Sequence, residues 1–311
     1  MQTAYDVLQS ATPLPSRCAC IYKGRSSQCS TFAFSNPTVP AYSVHDIARI
    51  GSAKARLSEL VDRGILAITD VPDDSPLSVK QQNQVRAAKT QREVIDCGAI
   101  ETLLNPYTYP IAFFDYETYA AGVPRFVGYR AFDQIPFQFS LDVMTAPDAT
   151  IVHHEFLFTE PQCPDSVVIE ALQQMIPPTG SIVTWNKSFE MTINKRLAER
   201  NPVATHFVEA VNTRVVDLMH VFTSHACIHP GFKGSNSIKA VLPVLVPALS
   251  YKELDIQEGG TASDTYNKIV TGAYGKHEIE AQRRALLKYC ALDTQAMVEI
   301  WRVLRGKHGN G

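Results

Sequence analysis

The chain has 311 residues, 45% hydrophobic and 19% charged, which suffices for one large core with a smaller annex and speaks against long disordered tracts. A formal net charge of −2 excludes a protein that coats nucleic acid by bulk positive charge, so any such contact must come from a local basic patch. The start, Met1-Gln-Thr-Ala-Tyr-Asp, has no basic cluster and no long apolar run, so neither a signal peptide nor a membrane span is expected, and a cytoplasmic location is.

Residues 1 to about 40 are rich in Ser, Pro and Cys and show little periodicity, which reads as irregular structure. The seven cysteines are odd in number and spread from Cys18 to Cys290, a pattern expected of reduced thiols rather than of a disulfide framework. From Ser43 onward Val44, Ile47, Ile50, Leu57, Leu60 and Val61 fall at helical spacings, with Ser43 as N-cap and Gly64 as stop, predicting two short helices. Lys80 to Glu101 is polar and helix-prone and reads as a connector.

At Tyr109 the composition shifts. Pro110-Ile-Ala-Phe-Phe-Asp-Tyr-Glu predicts a buried strand ending in acids, while 135–144 and 150–158 alternate as strands of a half-buried antiparallel sheet. A helix over 165–175, a strand over 181–185 and a helix over 188–200 follow; a short apolar run at 215–219 precedes helices from Ser237 to Val244 and from Glu278 to Leu304. This order, three strands, then helix, strand, helix, predicts an α/β fold with a sheet flanked by helices and a small N-terminal helical annex.

Three places carry chemistry. Residues two apart on a strand share a face, so Asp115 and Glu117 project together, and their repulsion is relieved by a shared hard cation; the alternative is two solvated acids at a strand end. On the last helix Tyr289 and Asp293, four residues apart, share a stripe with Leu286, Cys290 and Met297; the alternative is a core aromatic and an ion-paired aspartate. Between them Asn186 can cap a helix and Glu190 can face the first strand's acids, although a first-turn acid favoured by the helix dipole explains Glu190 by itself.

Taken in order, Asp115-Tyr-Glu117, Asn186 through Phe189-Glu190, and Tyr289-x-x-x-Asp293 resemble the three motifs of the DEDD superfamily of 3′-5′ exonucleases, in its tyrosine form. Phe113-Phe-Asp-Tyr-Glu-Thr, Ile135-Pro-Phe-Gln-Phe-Ser, Gly234-Ser-Asn-Ser-Ile-Lys-Ala-Val-Leu-Pro and Tyr289-Cys-Ala-Leu-Asp-Thr resemble an uncharacterised bacterial family of that fold, over most of residues 105 to 305. The second motif departs from the pattern, with Glu190 where the family has Asp; Asp217 is a second candidate for that position.

The resemblance implies an RNase H-like sheet in an exonuclease domain over 105–311, preceded by a Cys-containing annex over 1–104. It implies a metal-dependent enzyme acting on single-stranded DNA or RNA, with Asp115, Glu117, Glu190 and Asp293 holding two Mg²⁺ or Mn²⁺ ions about 3.5–4 Å apart and Tyr289 orienting the attacking water. Asn186, Gln138, Ser237 and Lys239 are the candidate substrate contacts, and Lys187, Lys195, Arg196, Arg200 and Arg214 a candidate basic cluster. Gln138 can equally be a satisfied polar residue on the sheet, Ser237 an ordinary cap and Lys239 a solvated lysine. Members of that family often carry an upstream RecB-like nuclease module with an iron–sulfur cysteine cluster. Cys18-x-Cys20 and Cys29 resemble a remnant of it, with no obvious fourth ligand and Cys97 a candidate distant in sequence, so an iron–sulfur cluster or zinc there competes with free or packed thiols, the reading preferred on sequence. No such module is expected within this sequence, and a separate nuclease or helicase partner is a candidate. The competing functions are a catalytically inactive nucleic-acid-binding or assembly module of the same fold, and an adaptor using the helices of 43–70.

Overall fold

A computed structural model describes residues 18–52 and 54–306. Contacts divide the chain into two units, one of the residues up to Ile95 together with Cys227–Ser235, the other of Asp96–Ala226 with the residues from Asn236 on.

The first unit holds α1 (Phe32–Ser35), α2 (Lys54–Asp62), α3 (Val79–Thr90) and β1 (Val94–Ile95). Its core is built from Val44, Ile47, Ile50, Leu57, Leu60, Val61, Ile68, Val71 and Val85, which includes every apolar position expected from the helical spacing. Only the second of the two expected helices forms, as α2. The first gives way to 3₁₀ turns at Val44–Asp46 and Ile50–Ser52, because Ser43 and Asp46 close a capping box on one turn and Arg49 adopts φ 55°, which no continuing helix tolerates. The polar stretch after 78 is more than a connector. Ser78 and Gln81 cap α3, and the buried amides of Gln81 and Gln84 donate to the carbonyls of Ala48 and Asp46, each at 2.8 Å.

The second unit begins with α4 (Cys97–Leu104) and continues with β2 (Ile111–Tyr119), β3 (Ile135–Met144), β4 (Val152–Leu157), α5 (Asp165–Met175), β5 (Ile182–Thr184), α6 (Lys187–Arg200), α7 (Thr205–Asn212), β6 (Val215–Asp217) and α8 (His220–Thr223). Then comes β7 (Cys227–Ile228), which belongs to the first unit and pairs antiparallel with β1. The second unit resumes with α9 (Ile238–Leu245), α10 (Gly259–Val270) and α11 (Lys276–Gly306). Its strands form one mixed sheet in the order β4-β3-β2-β5-β6, with β2 antiparallel to β3 and parallel to β5. The α/β class and the helix-flanked mixed sheet expected from the sequence are what this unit shows.

The two faces of the sheet differ. On one, Ala112, Phe114, Tyr116, Phe139, Leu141 and Val143 pack with Val168, Ile169 and Leu172 of α5 and Ile193 and Leu197 of α6. The other face carries the polar partners of the same alternation and is covered by α11: Ser140 Oγ lies 2.7 Å from Thr294 Oγ1, and Phe113 meets Trp301 edge to face. β3 is therefore buried along its whole length, not half-buried as its pattern suggested. Polar residues are tolerated there because a helix supplies their hydrogen bonds. Among the described residues no helix is long and apolar enough to cross a membrane.

Candidate active site

The middle of β2, which runs on past the acids to Tyr119 instead of ending at them, delivers Asp115 and Glu117 to the α11 side of the sheet, opposite Ser140 and Gln138. α11 answers with Tyr289, Cys290 and Asp293, all buried. Donor atoms of Asp115, Glu117 and Cys290 lie within 4.8 Å of one another, and the Cys290 thiol donates to the Asp115 carbonyl at 3.8 Å. Tyr251, on a single 3₁₀ turn, donates its hydroxyl to Asp293 Oδ1 at 2.6 Å. Lys239, in the first turn of α9, donates to Tyr289 Oη at 3.1 Å and to the Gln257 carbonyl at 2.6 Å. Its Nζ sits 5.1 Å from the Tyr289 ring centroid and 5.4 Å from that of Tyr251.

These acids are crowded beyond what the protein's own cations offset. Burial first, then the charges of Asp293, Glu117 and Glu190, push the Asp115 carboxyl well above the usual carboxylate range, with Lys239 opposing. Burial and Asp293 raise Glu117 to about 8. Burial raises Asp293 to about 6, against the pull of Tyr251 and Lys239. Glu190, 3% exposed near the start of α6, is raised to about 8 by burial and by Asp217, with its backbone hydrogen bond opposing. Glu190 Oε2 and Asp217 Oδ1 are buried without a hydrogen-bond partner. Such orphaned, mutually repelling oxygens fit a hard divalent cation, which accepts several carboxylate ligands at once. Cys290 is a poor ligand in this state, because burial and the neighbouring acids hold its thiol protonated.

The other sequence-derived residues take different roles. Gln138 is 1% exposed, and its Nε2 donates to the Leu286 carbonyl at 2.8 Å, so it ties sheet to helix and is out of a substrate's reach. Asn186 is exposed at the N-cap of α6 but makes no side-chain capping bond. Ser237 stands at the N-cap of α9, also without a side-chain capping bond. Asp217 ends β6, where the backbone N–H groups of Lys187 and Met219 hold its carboxylate beside Glu190. The basic cluster is largely spent on structure, since Arg196 pairs with Asp133, Arg200 with Asp165, and Arg214 donates to the Gly180 carbonyl. Cys18, Cys20 and Cys29 converge in the first unit, within 4.8 Å of one another; Cys97 opens α4 in the second and is not of that group.

Sequence reasoning missed Tyr251, and it put Cys290 on the Tyr289–Asp293 stripe as an apolar neighbour without foreseeing its approach to Asp115 and Glu117. Tyr251 had no signal, since a one-turn 3₁₀ segment has no period to read.

Fold and site together define an α/β protein with an under-compensated acid cluster where β2 meets α11. The family described as a domain of unknown function (DUF2779) matches residues 112–237, a stretch that includes Asp115, Glu117, Glu190 and Asp217 and ends before Tyr251, Tyr289 and Asp293. The chain is similar to an uncharacterized protein, MG366, of Mycoplasma genitalium, with 27% identity over 205 residues that make up 60% of this chain and 31% of that protein. The chain thus spans less than a third of the length of the curated relative it matches. No solved structure matches it.

Proposed function

We propose that the chain is a metal-dependent 3′-5′ exonuclease that hydrolyses phosphodiester bonds of single-stranded nucleic acid. The observation that carries this reading is the meeting of Asp115 and Glu117 from β2 with Asp293 from α11, each carboxyl raised by burial and those of Asp115 and Glu117 raised further by their acidic neighbours. A sheet with three antiparallel strands followed by two parallel ones, ordered β4-β3-β2-β5-β6, supports the RNase H-like arrangement that the resemblance implies. Neither the matched family's description nor the relative's name carries an activity. The substrate class follows the motif resemblance.

Asp115, Glu117, Glu190 and Asp293 would hold Mg²⁺ or Mn²⁺, which when bound supplies Lewis-acid activation of water and offsets charge on the leaving oxygen. The chain's own groups set the rest. Burial and the acids hold Tyr289 protonated, with its pKa far above the ordinary value, so its hydroxyl acts as a hydrogen-bond donor that orients a nucleophile and not as a base. Lys239, held between two tyrosine rings, is the positive charge that meets a phosphate beside the acids. Asp293 is positioned by Tyr251.

Purified chain incubated with end-labelled single-stranded DNA or RNA and Mn²⁺ is expected to shorten it from the 3′ end, and an Asp115→Asn variant to leave it intact. Binding without shortening by the unmutated chain defines an inactive nucleic-acid module instead.

A further inference from the structure

The first unit contains a cluster that the nuclease reading does not use. We propose that Cys18, Cys20 and Cys29 form a binding site for one thiophilic divalent ion of the Zn²⁺ type, with these three as its protein ligands among the described residues.

Three observations carry this. The first is spacing. All three Sγ atoms lie within 4.8 Å of one another, and Cys18 Sγ is 4.0 Å from Cys29 Sγ. Tetrahedral zinc with Zn–S bonds of about 2.3 Å sets its sulfurs roughly 3.8 Å apart, so one ion enters with little movement. An iron–sulfur cluster places a different iron behind each thiolate and needs the sulfurs farther apart. A Cys18–Cys29 disulfide would need the sulfurs to close to about 2.05 Å.

The second is support beneath the thiols. Cys18 is the N-cap of a 3₁₀ turn, Ala19–Tyr22, that contains Cys20 and is fixed by Ile21 N–H to the Cys18 carbonyl and Lys23 N–H to the Cys20 carbonyl. Ile21 is 4% exposed and its carbonyl lies 2.7 Å from His45 Nε2. Cys29 is held from the other side, where Phe32 N–H donates to its carbonyl and the Phe32 ring is buried against His45. Asn36 Nδ2 donates to Cys18 Sγ at 3.7 Å, and Thr31 Oγ1 lies 3.4 Å from Cys29 Sγ. These are the surrounding polar contacts that favour metal-bound sulfur. The third is access, since Cys29 is exposed and Cys18 and Cys20 are half-buried, and a recess of about 330 Å³ lined by Cys18, Ala19, Ile21, Tyr22, Val61 and Asp62 opens on the Cys18 side.

Three protein ligands bind one ion and lose their protons to solvent, so the site ties metal occupancy to the folding of this small unit. The test uses the full chain purified anaerobically with Zn²⁺ or Co²⁺. About one ion per chain that survives Mg²⁺ wash is expected, with three sulfurs at about 2.3 Å by X-ray absorption at the metal edge. The cobalt form should show thiolate charge-transfer absorption. That absorption is expected to vanish in Cys18→Ser and Cys29→Ser and to persist in Cys290→Ser, which separates this site from the acid cluster. Because the serine variants can fail through misfolding of the unit, the sulfur count on the unmutated chain decides independently. Iron and inorganic sulfide in place of a single ion, a Cys18–Cys29 disulfide, or three free thiols with no retained metal would each overturn the proposal. Loss of nuclease activity has no bearing on this readout.

Discussion

Two buried acidic regions of the second unit have opposite electrostatic designs. Asp165, at the start of α5, is 5% exposed, but Arg200 Nε stands 2.7 Å from one oxygen, the Tyr129 hydroxyl donates to the other, and the guanidinium lies 4.0 Å above the Tyr129 ring. Its charge is matched one for one. Where β2 meets α11, several buried acids share the positive end of a single lysine, and two neighbouring oxygens have no partner. A fold able to pair Asp165 so closely leaves this second group short of positive charge. The difference teaches that the deficit is local, which is what a cation-binding role requires.

The contrast breaks first where the charge is matched. Arg200→Met leaves Asp165 buried and without its guanidinium, and should lower stability by about 3–5 kcal/mol, read as a fall in denaturation midpoint, with activity per folded molecule within a few-fold of normal. Asp115→Asn should behave in the reverse sense. The proposed nuclease activity should fall about 10²–10³-fold, the scale of losing one preorganised electrostatic group, while thermal stability without metal should hold or rise because a repelling charge is gone. If Asp115→Asn instead unfolds the protein as Arg200→Met does, the acids at β2 are structural.

Much of this contrast can be read in the amino acids, and the unreadable part has physical causes. Period-two spacing puts Asp115 and Glu117 on one face, and helical spacing puts Tyr289 and Asp293 on one stripe, so both halves of the cluster are legible. β3 starts and stops where its alternation does, at Ile135 and Met144. What is illegible depends on partners distant in the chain. No local pattern says that Gln138 will serve Leu286, that Arg200 will serve Asp165, or that Cys227 and Ile228 will return to pair with Val94 and Ile95. Buried Gln81 and Gln84 look like surface residues in sequence, because their amides are satisfied by loop carbonyls that only the fold supplies.

A pH series sharpens the same comparison more gently. The Glu117 carboxyl rises from an ordinary 4.5 to about 8 in the fold, so stability fully present below about 4.5 is lost as the pH climbs through about 8. Cation binding must displace that proton, so Mn²⁺ should raise the denaturation midpoint more at pH 8 than at pH 5.5, and Asp115→Asn should flatten this dependence. A metal response that does not change across the range would mean the acids are not its ligands.

The smallest effect is expected at Tyr251. Its hydroxyl donates to Asp293 and favours the charged form of that carboxyl, so Tyr251→Phe removes one hydrogen bond, worth about 1 kcal/mol net, and lets Asp293 titrate higher. Activity should therefore fall modestly at pH 6 and recover as the pH is raised, because Asp293 regains its charge once the solution passes its shifted pKa. A purely structural tyrosine would lower stability by the same margin yet leave the shape of the pH profile as it was. The profile, and not the size of the loss, distinguishes positioning of Asp293 from packing against α11.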